Sequence, residues 1–134
     1  MAETPSAVGA FHVKWIIGNP MPGAQTLHVD AVVVTPSHTV NGAARLTQAT
    51  NPPLDVHFDI HGPYIDVAER GATHFTLLST SPAGPPGAPY LLLAMVLNAD
   101  WKSGTASYRY VCGSASGHQD NVPVKIEAMA ATTA

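Results

Sequence analysis

Four acidic and imidazole side chains alternate along one short stretch of the chain, at Asp55, His57, Asp59 and His61. In a β-strand, residues i and i+2 share a face. Consecutive members of the row would lie about 6.5 to 7 Å apart, because a strand rises 3.2–3.4 Å per residue. Imidazole nitrogens and carboxylate oxygens at this spacing can converge on one divalent cation. A metal site on this strand face is therefore one hypothesis.

The same row has two other interpretations. Polar residues on the solvated face of a half-buried strand need no function, since neighbouring Asp and His side chains form weak exposed ion pairs; this is our default interpretation. A pH-responsive face is the other, because imidazoles beside carboxylates titrate near neutrality. His12, or the pair His28 and Asp30, could add metal ligands if their strands were adjacent. Strand order decides that, and the sequence does not give it.

A second candidate site consists of aromatic residues. Trp101, Tyr108 and Tyr110, together with Tyr64 and Tyr90, could line a shallow platform that stacks on sugar rings or peptides. In core positions the same rings would simply fill volume, and this is again the default interpretation. The binding partner predicted by the platform is a protein, a peptide or a glycan.

Signals for catalysis are weak. The single cysteine, Cys112, has neither a basic neighbour nor a helix N-terminus to lower the pKa of its thiol. No Gly-x-Ser-x-Gly elbow precedes a helix, and the run GSASGH at 113–118 is typical of a flexible loop. There is also no glycine-rich phosphate loop at a helix start. We therefore expect a protein that is not an enzyme and needs no cofactor, apart from the divalent metal considered above; a hydrolase is the remote alternative.

Composition excludes several partner classes. The 134 residues suit one domain, 1–134, and the six Lys and Arg residues are scattered within a net charge of −3, which does not favour nucleic acid. The longest apolar run, 90–97, is too short for a membrane helix, which needs about 20 residues. Residues 1–10 lack the basic and apolar regions of a signal peptide. We expect a cytoplasmic protein that does not enter membranes and, having one cysteine, forms no internal disulfide.

Twelve prolines and eleven glycines divide the chain into short pieces that suit strands better than helices. The clearest alternation is at 54–61, where an apolar row opposes the Asp/His row. The segment 90–97 is apolar throughout, which predicts a strand covered on both faces or a short helix after Pro89. The predicted strands are 8–17, 26–35, 43–49, 54–61, 73–79, 90–97, 105–112 and 122–128, with a bend at 62–63 leading to a short edge segment at 64–67.

Loops are predicted at 81–89 and 113–121, and disordered tails at 1–7 and 129–134. About eight strands separated by turn signals predict an all-β fold, either an antiparallel β-sandwich or a small barrel. Few charges, and a strand that is apolar on both sides, also favour a homo-oligomer.

Two segments carry a resemblance to a known family. The runs DWKSGTASYRY at 100–110 and TQATNPPL at 47–54 are similar to a family of small uncharacterised proteobacterial proteins classed as a domain of unknown function, and the likeness extends over 11–126. The resemblance implies a bacterial, β-rich protein and assigns no activity, cofactor or site residue. The sequence as a whole predicts a non-enzymatic binding module, with a metal-binding protein as the alternative.

Overall fold

The fold is an eight-stranded antiparallel barrel, seen in a computed structural model that describes residues 9–19, 21, 23–49, 53–67, 73–80, 89–112 and 115–131. The described residues contain no helix, and so none that is long and apolar enough to cross a membrane. The strands are β1 (Ala10–Ile17), β2 (Thr26–Val34), β3 (Thr39–Gln48), β4 (Leu54–Val67), β5 (Thr73–Thr80), β6 (Tyr90–Asn98), β7 (Ser103–Cys112) and β8 (Ala115–Ala131).

Each strand pairs with the next strand in the sequence, and β8 returns to pair with β1, so the sheet closes on itself. The closing ladder sets Trp15 opposite Ile126 and Ile17 opposite Val124. This confirms the all-β antiparallel prediction and decides between its two forms, because a closed ring of eight strands is a barrel and not a sandwich.

Strand alternation separates the interior from the outer surface. On β1, for example, Phe11, Val13, Trp15 and Ile17 point inward and are fully buried, while the residues between them face outward. An eight-stranded barrel has an interior just wide enough for side chains to fill. The buried rows of all eight strands therefore form one hydrophobic core.

The segment 90–97 is a strand and not a helix, but the prediction that both of its faces are covered is wrong. Leu91, Leu93, Met95 and Leu97 are buried, whereas every second residue of β6 points outward and most of these are exposed. The physical reason is that a single closed sheet has only one inner face. Among the described residues, no second layer lies against the outside of β6.

The predicted break after residue 61 is also wrong, because β4 continues through Gly62 and Pro63 to Val67. Gly62 lets two strands approach closely, since a Cβ at this position would lie 2.0 Å from the carbonyl oxygen of Leu77. The predicted edge segment 64–67 pairs with β5 along its whole length, and on its other side the backbone N–H of Tyr64 donates to the carbonyl oxygen of His38 in the turn before β3.

Two more boundaries differ from the predictions. Strand β8 includes most of the predicted loop 113–121 and pairs with β7 from Cys112 opposite Ala115 onward. It also runs to Ala131, three residues into the predicted tail 129–134. Tail residues 1–7 and 132–134 lie outside the described residues, as does most of the predicted loop 81–89.

Candidate functional site

The predicted polar row lies on the outer face of β4, where Asp55, His57, Asp59 and His61 are all exposed. Asp55 is engaged by Arg45 of β3, whose Nε and Nη2 donate to its two carboxylate oxygens at 2.9 and 2.8 Å. This two-pronged hydrogen bond lowers the pKa of Asp55 below its usual value.

Neither of the other proposed ligand sources reaches this row. β3 lies between β2 and β4, so His28 stands opposite Arg45 and His12 is one strand further away. His12 instead pairs with Asp30 on the same side of the barrel. Over the described residues, no group of three or more His, Cys, Asp or Glu side chains is arranged to hold a metal ion.

The three residues of the proposed aromatic platform lie inside the barrel. Trp101, Tyr108 and Tyr110 are between 1% and 5% exposed, so they do not form a surface on which a sugar or peptide could stack. Tyr108 and Tyr110 occupy inward positions of β7, and the turn before β7 folds the Trp101 ring into the barrel. The default interpretation, that these rings fill the core, describes their position.

The two tyrosine hydroxyls belong to a polar cluster inside one end of the barrel. The Tyr108 hydroxyl donates to Oε1 of Gln25 at 2.9 Å, and Nε2 of Gln25 donates to the Tyr110 hydroxyl at 2.9 Å and to Oε1 of Gln48 at 3.2 Å. Burial raises the pKa of Tyr108. These groups bind one another, and both amide hydrogens of Gln25 are used within the cluster.

An acidic and imidazole cluster that the sequence analysis did not identify lies toward the other end of the barrel. Asp66 stands between two histidines, with Oδ1 at 2.6 Å from Nδ1 of His74 and Oδ2 at 3.4 Å from Nε2 of His38. The His38 ring lies against Tyr64, with centroids 4.8 Å apart. The residues come from β4, β5 and the turn before β3, so only their spatial arrangement, and no local spacing, reveals the cluster.

A histidine paired with an aspartate suggests acid–base catalysis, but the surroundings of His74 do not suit that role. Its Nδ1 faces Asp66, and its Nε2 lies 3.1 Å from the carbonyl oxygen of Ala99. The ring is also stacked on Trp101 at a centroid distance of 3.9 Å. A catalytic histidine needs its second nitrogen directed at a nucleophile or substrate. Here both nitrogens are occupied, so the contacts fit an anchor at the barrel end.

The most distinctive surface is apolar and lies outside β5 and β6. We call it the apolar face and define it as Ile65, Phe75, Leu77, Tyr90, Leu92, Ala94, Val96 and Val111. Its four central residues, Phe75, Leu77, Leu92 and Val96, are between 36% and 45% exposed. The outward positions within Thr73–Thr80 and Tyr90–Asn98 include no charged residue.

The apolar face is contiguous because its residues are in register across the sheet. Ile65 stands opposite Phe75, and Phe75 opposite Val96, which makes a raised row of three side chains. In the next row, Leu77 stands opposite Ala94 and Ala94 opposite Ser107. The two small residues of that row lie in a shallow groove of about 350 Å³.

Charged side chains border the apolar face, and Arg109 of β7 stands directly opposite Leu92 at its margin. The groove is bounded on its far side by Arg109 of β7 and by His118 and Asp120 of β8. Elsewhere, β1 and β2 carry the pair His12 and Asp30 outside. The outer surface of the barrel is therefore divided into a charged region and an uncharged one.

Comparison with known proteins places the chain without assigning an activity. A search of curated proteins finds no match. A family model described as Domain of unknown function (DUF1842) matches residues 8–115, which include β1 to β7. The chain belongs to this DUF1842 family.

Proposed function

We propose that this protein is a non-enzymatic binding module whose contact surface is the apolar face. The observation that carries the proposal is the contiguity of exposed apolar side chains on β5 and β6, with no charged residue at the outward positions of either strand. Single exposed apolar residues are common on soluble proteins, whereas contiguous apolar patches bordered by polar residues mark interaction sites.

Two observations on the other candidate sites support a role in binding over one in catalysis. Asp55 is held by Arg45, and His74 has acceptors at both of its ring nitrogens. The groove of the apolar face, between Leu77 and Arg109, has a mostly apolar lining. Burial of apolar area is the main source of affinity that this surface offers.

The proposal is tested by photocrosslinking in the cells that naturally make the protein. A p-benzoylphenylalanine replaces Leu77 in the apolar face in one variant, and Asn41, exposed on β3, in the control. We expect covalent adducts from position 77 and none from position 41. Adding Leu92→Glu to the position-77 variant should remove those adducts, because the contact would lose apolar area and would have to cover a carboxylate beside Arg109.

Equal adduct patterns from positions 77 and 41, or adducts from position 77 that survive Leu92→Glu, would refute the proposal. In both outcomes, collisions with surrounding proteins would explain the adducts without a specific contact surface. The variants should be checked by circular dichroism, so that a loss of adducts is compared between folded barrels only.

A further inference from the structure

We propose that the partner bound by the apolar face is a second copy of this chain, in a two-fold symmetric dimer with the two faces packed against each other. The inference rests on the proposed function and names its partner. It depends on three observations: the closure of the sheet, the absence of charged residues at the outward positions of β5 and β6, and the ridge and groove on the apolar face.

Closure of the sheet restricts how two copies can associate. Many β proteins associate by pairing the free edges of their sheets. Every described strand here already has hydrogen-bonded neighbours on both sides, and β1 with β8 completes the ring. Because β5 and β6 are hydrogen-bonded on both sides, a second copy can associate with the apolar face only by packing side chains face to face against it.

The charge distribution favours the same surface of another copy over the charged remainder of the barrel. Burying an unpaired charge costs several kcal/mol. Packing the apolar face on β1 to β4 would bury side chains such as Lys14, His57 and Asp59. Packing it on the apolar face of a second copy brings together outward positions of β5 and β6 that include no charge on either side.

The relief of the face is self-complementary. The raised row Ile65–Phe75–Val96 runs directly beside the groove that contains Ala94 and Ser107. In a two-fold interface, residue i of one copy contacts residue j of the other, and j contacts i in return. A two-fold axis that lies in the interface plane, parallel to the raised row and between ridge and groove, sets the ridge of each copy against the groove of the other.

The size of the face indicates a weak dimer. It is about four strands wide and eight residues long, so strand spacings of 4.7–4.9 Å and a rise near 3.3 Å give a footprint of roughly 20 by 25 Å, about 500 Å². Standard interfaces bury about 800 Å² per partner, and weaker ones less than about 600 Å². We therefore expect reversible dimerisation with a dissociation constant in the micromolar range.

The test is sedimentation velocity over a concentration series that extends from low micromolar to near-millimolar protein. For the natural sequence, the weight-average mass should rise from that of one chain toward that of two. Leu77→Glu should remain at the mass of one chain over the whole series. Asn41→Glu, which adds the same charge to an exposed position three strands away from β6, should behave as the natural sequence does.

Circular dichroism and thermal unfolding establish that each variant is folded. If Leu77→Glu does not fold, Val96→Glu replaces it, because Val96 is equally exposed and lies in the raised row. A single-chain mass at all concentrations for the natural sequence overturns the dimer. So does a dimer whose stability neither Leu77→Glu nor Val96→Glu reduces, because that dimer would use another surface.

The two proposals fail in different ways. In one outcome the natural sequence is monomeric, but the crosslinker at position 77 yields adducts with a different protein, and Leu92→Glu removes these adducts. The face then binds a different partner, and only the dimer is wrong. If the natural sequence is monomeric and position 77 yields no specific adducts, both proposals are wrong.

Discussion

Removing the indole of Trp101 is expected to open one end of the hydrophobic core. The ring is almost fully buried and contacts four other rings, with centroids at 3.9 Å from His74, 4.8 Å from Tyr64, 5.5 Å from Phe11 and 6.4 Å from Trp15. It lies in the turn between β6 and β7 and folds back over the barrel interior. Because four rings already pack around the indole, we expect no other side chain to fill the cavity that its removal leaves.

The magnitude follows from burial and from the backbone. Replacing a buried aromatic residue by alanine costs about 3–5 kcal/mol of unfolding free energy, so Trp101→Ala should fall in that range. The residue has a φ of 66°, in the left-handed region. That conformation costs a non-glycine residue about 1–2 kcal/mol. Trp101→Gly removes this conformational cost. About 0.4–1 kcal/mol of the gain in stability is lost again, because glycine makes the unfolded chain more flexible.

Trp101→Gly should therefore be more stable than Trp101→Ala by up to about 1.6 kcal/mol, the reverse of the usual order for these residues within strands. The assay is urea unfolding followed by far-ultraviolet circular dichroism, with Trp101→Phe as a control that keeps an aromatic ring. A loss below about 1 kcal/mol for Trp101→Ala would refute the role of the ring in closing the core. A glycine variant less stable than the alanine variant would refute the turn conformation.

Three further predictions concern charge, burial and close strand approach. Arg45 holds the pKa of Asp55 below 3.8, so Arg45→Ala should raise that pKa, which carboxyl NMR can follow. The stabilisation that the pair contributes is present above pH 3.8 and is lost as pH falls through the lower pKa of the folded protein. An unchanged titration midpoint would contradict this. Burial raises the pKa of Tyr64 and of Tyr108 above 10.0, so in a near-ultraviolet absorbance titration of the folded protein both should ionise above that pH. Because only the unfolded chain then releases these protons, stability should fall as pH rises above 10.0. Ionisation of Tyr64 and Tyr108 at pH 10.0 in the folded protein would contradict the burial. In Gly104→Ala the new Cβ would lie 2.0 Å from a backbone oxygen of β6. This clash should lower the free energy of unfolding in urea by about 3 kcal/mol or more. An unfolding midpoint equal to that of the natural sequence would be inconsistent with the close approach.

Local patterns were sufficient to predict most strands, because alternation depends only on which residues face the core. On β4, Val56, Phe58 and Ile60 are buried while His57 and Asp59 are exposed, as the sequence predicts. The same reasoning could not place other strands beside this row. Strand order depends on pairings between distant residues, and β3 separates β4 from the histidines of β1 and β2.

Barrel closure and the cluster around Asp66 are non-local for the same reason. Closure requires β1 to pair with β8, more than a hundred residues later in the chain. His38, Asp66 and His74 meet only because β3, β4 and β5 are neighbours. For Trp101 the sequence left two interpretations open, a surface platform and, by default, a place in the core, since alternation gives no direction to a side chain in a turn.

The most informative difference concerns β6. Its run of apolar residues was interpreted as a strand buried on both faces within the fold, whereas Leu92 and Val96 face outward on a single-layered barrel. The sequence contained the signal for an apolar outer row, and the error lay in expecting both faces of this strand to be covered within the fold. A partner surface is the cover that we propose in its place.

Hydroxyl-radical footprinting of the natural sequence, at protein concentrations below and above the midpoint of association, tests the apolar face most directly. Side-chain oxidation is measured by mass spectrometry at Phe75, Leu77 and Leu92 in the face, with Met21 and His57 as exposed reference residues outside it. We predict that oxidation of the three face residues falls as concentration rises, while oxidation of the two reference residues stays constant. Unchanged oxidation of the face at concentrations where the protein associates, or protection centred on the reference residues, would contradict the assignment of this surface.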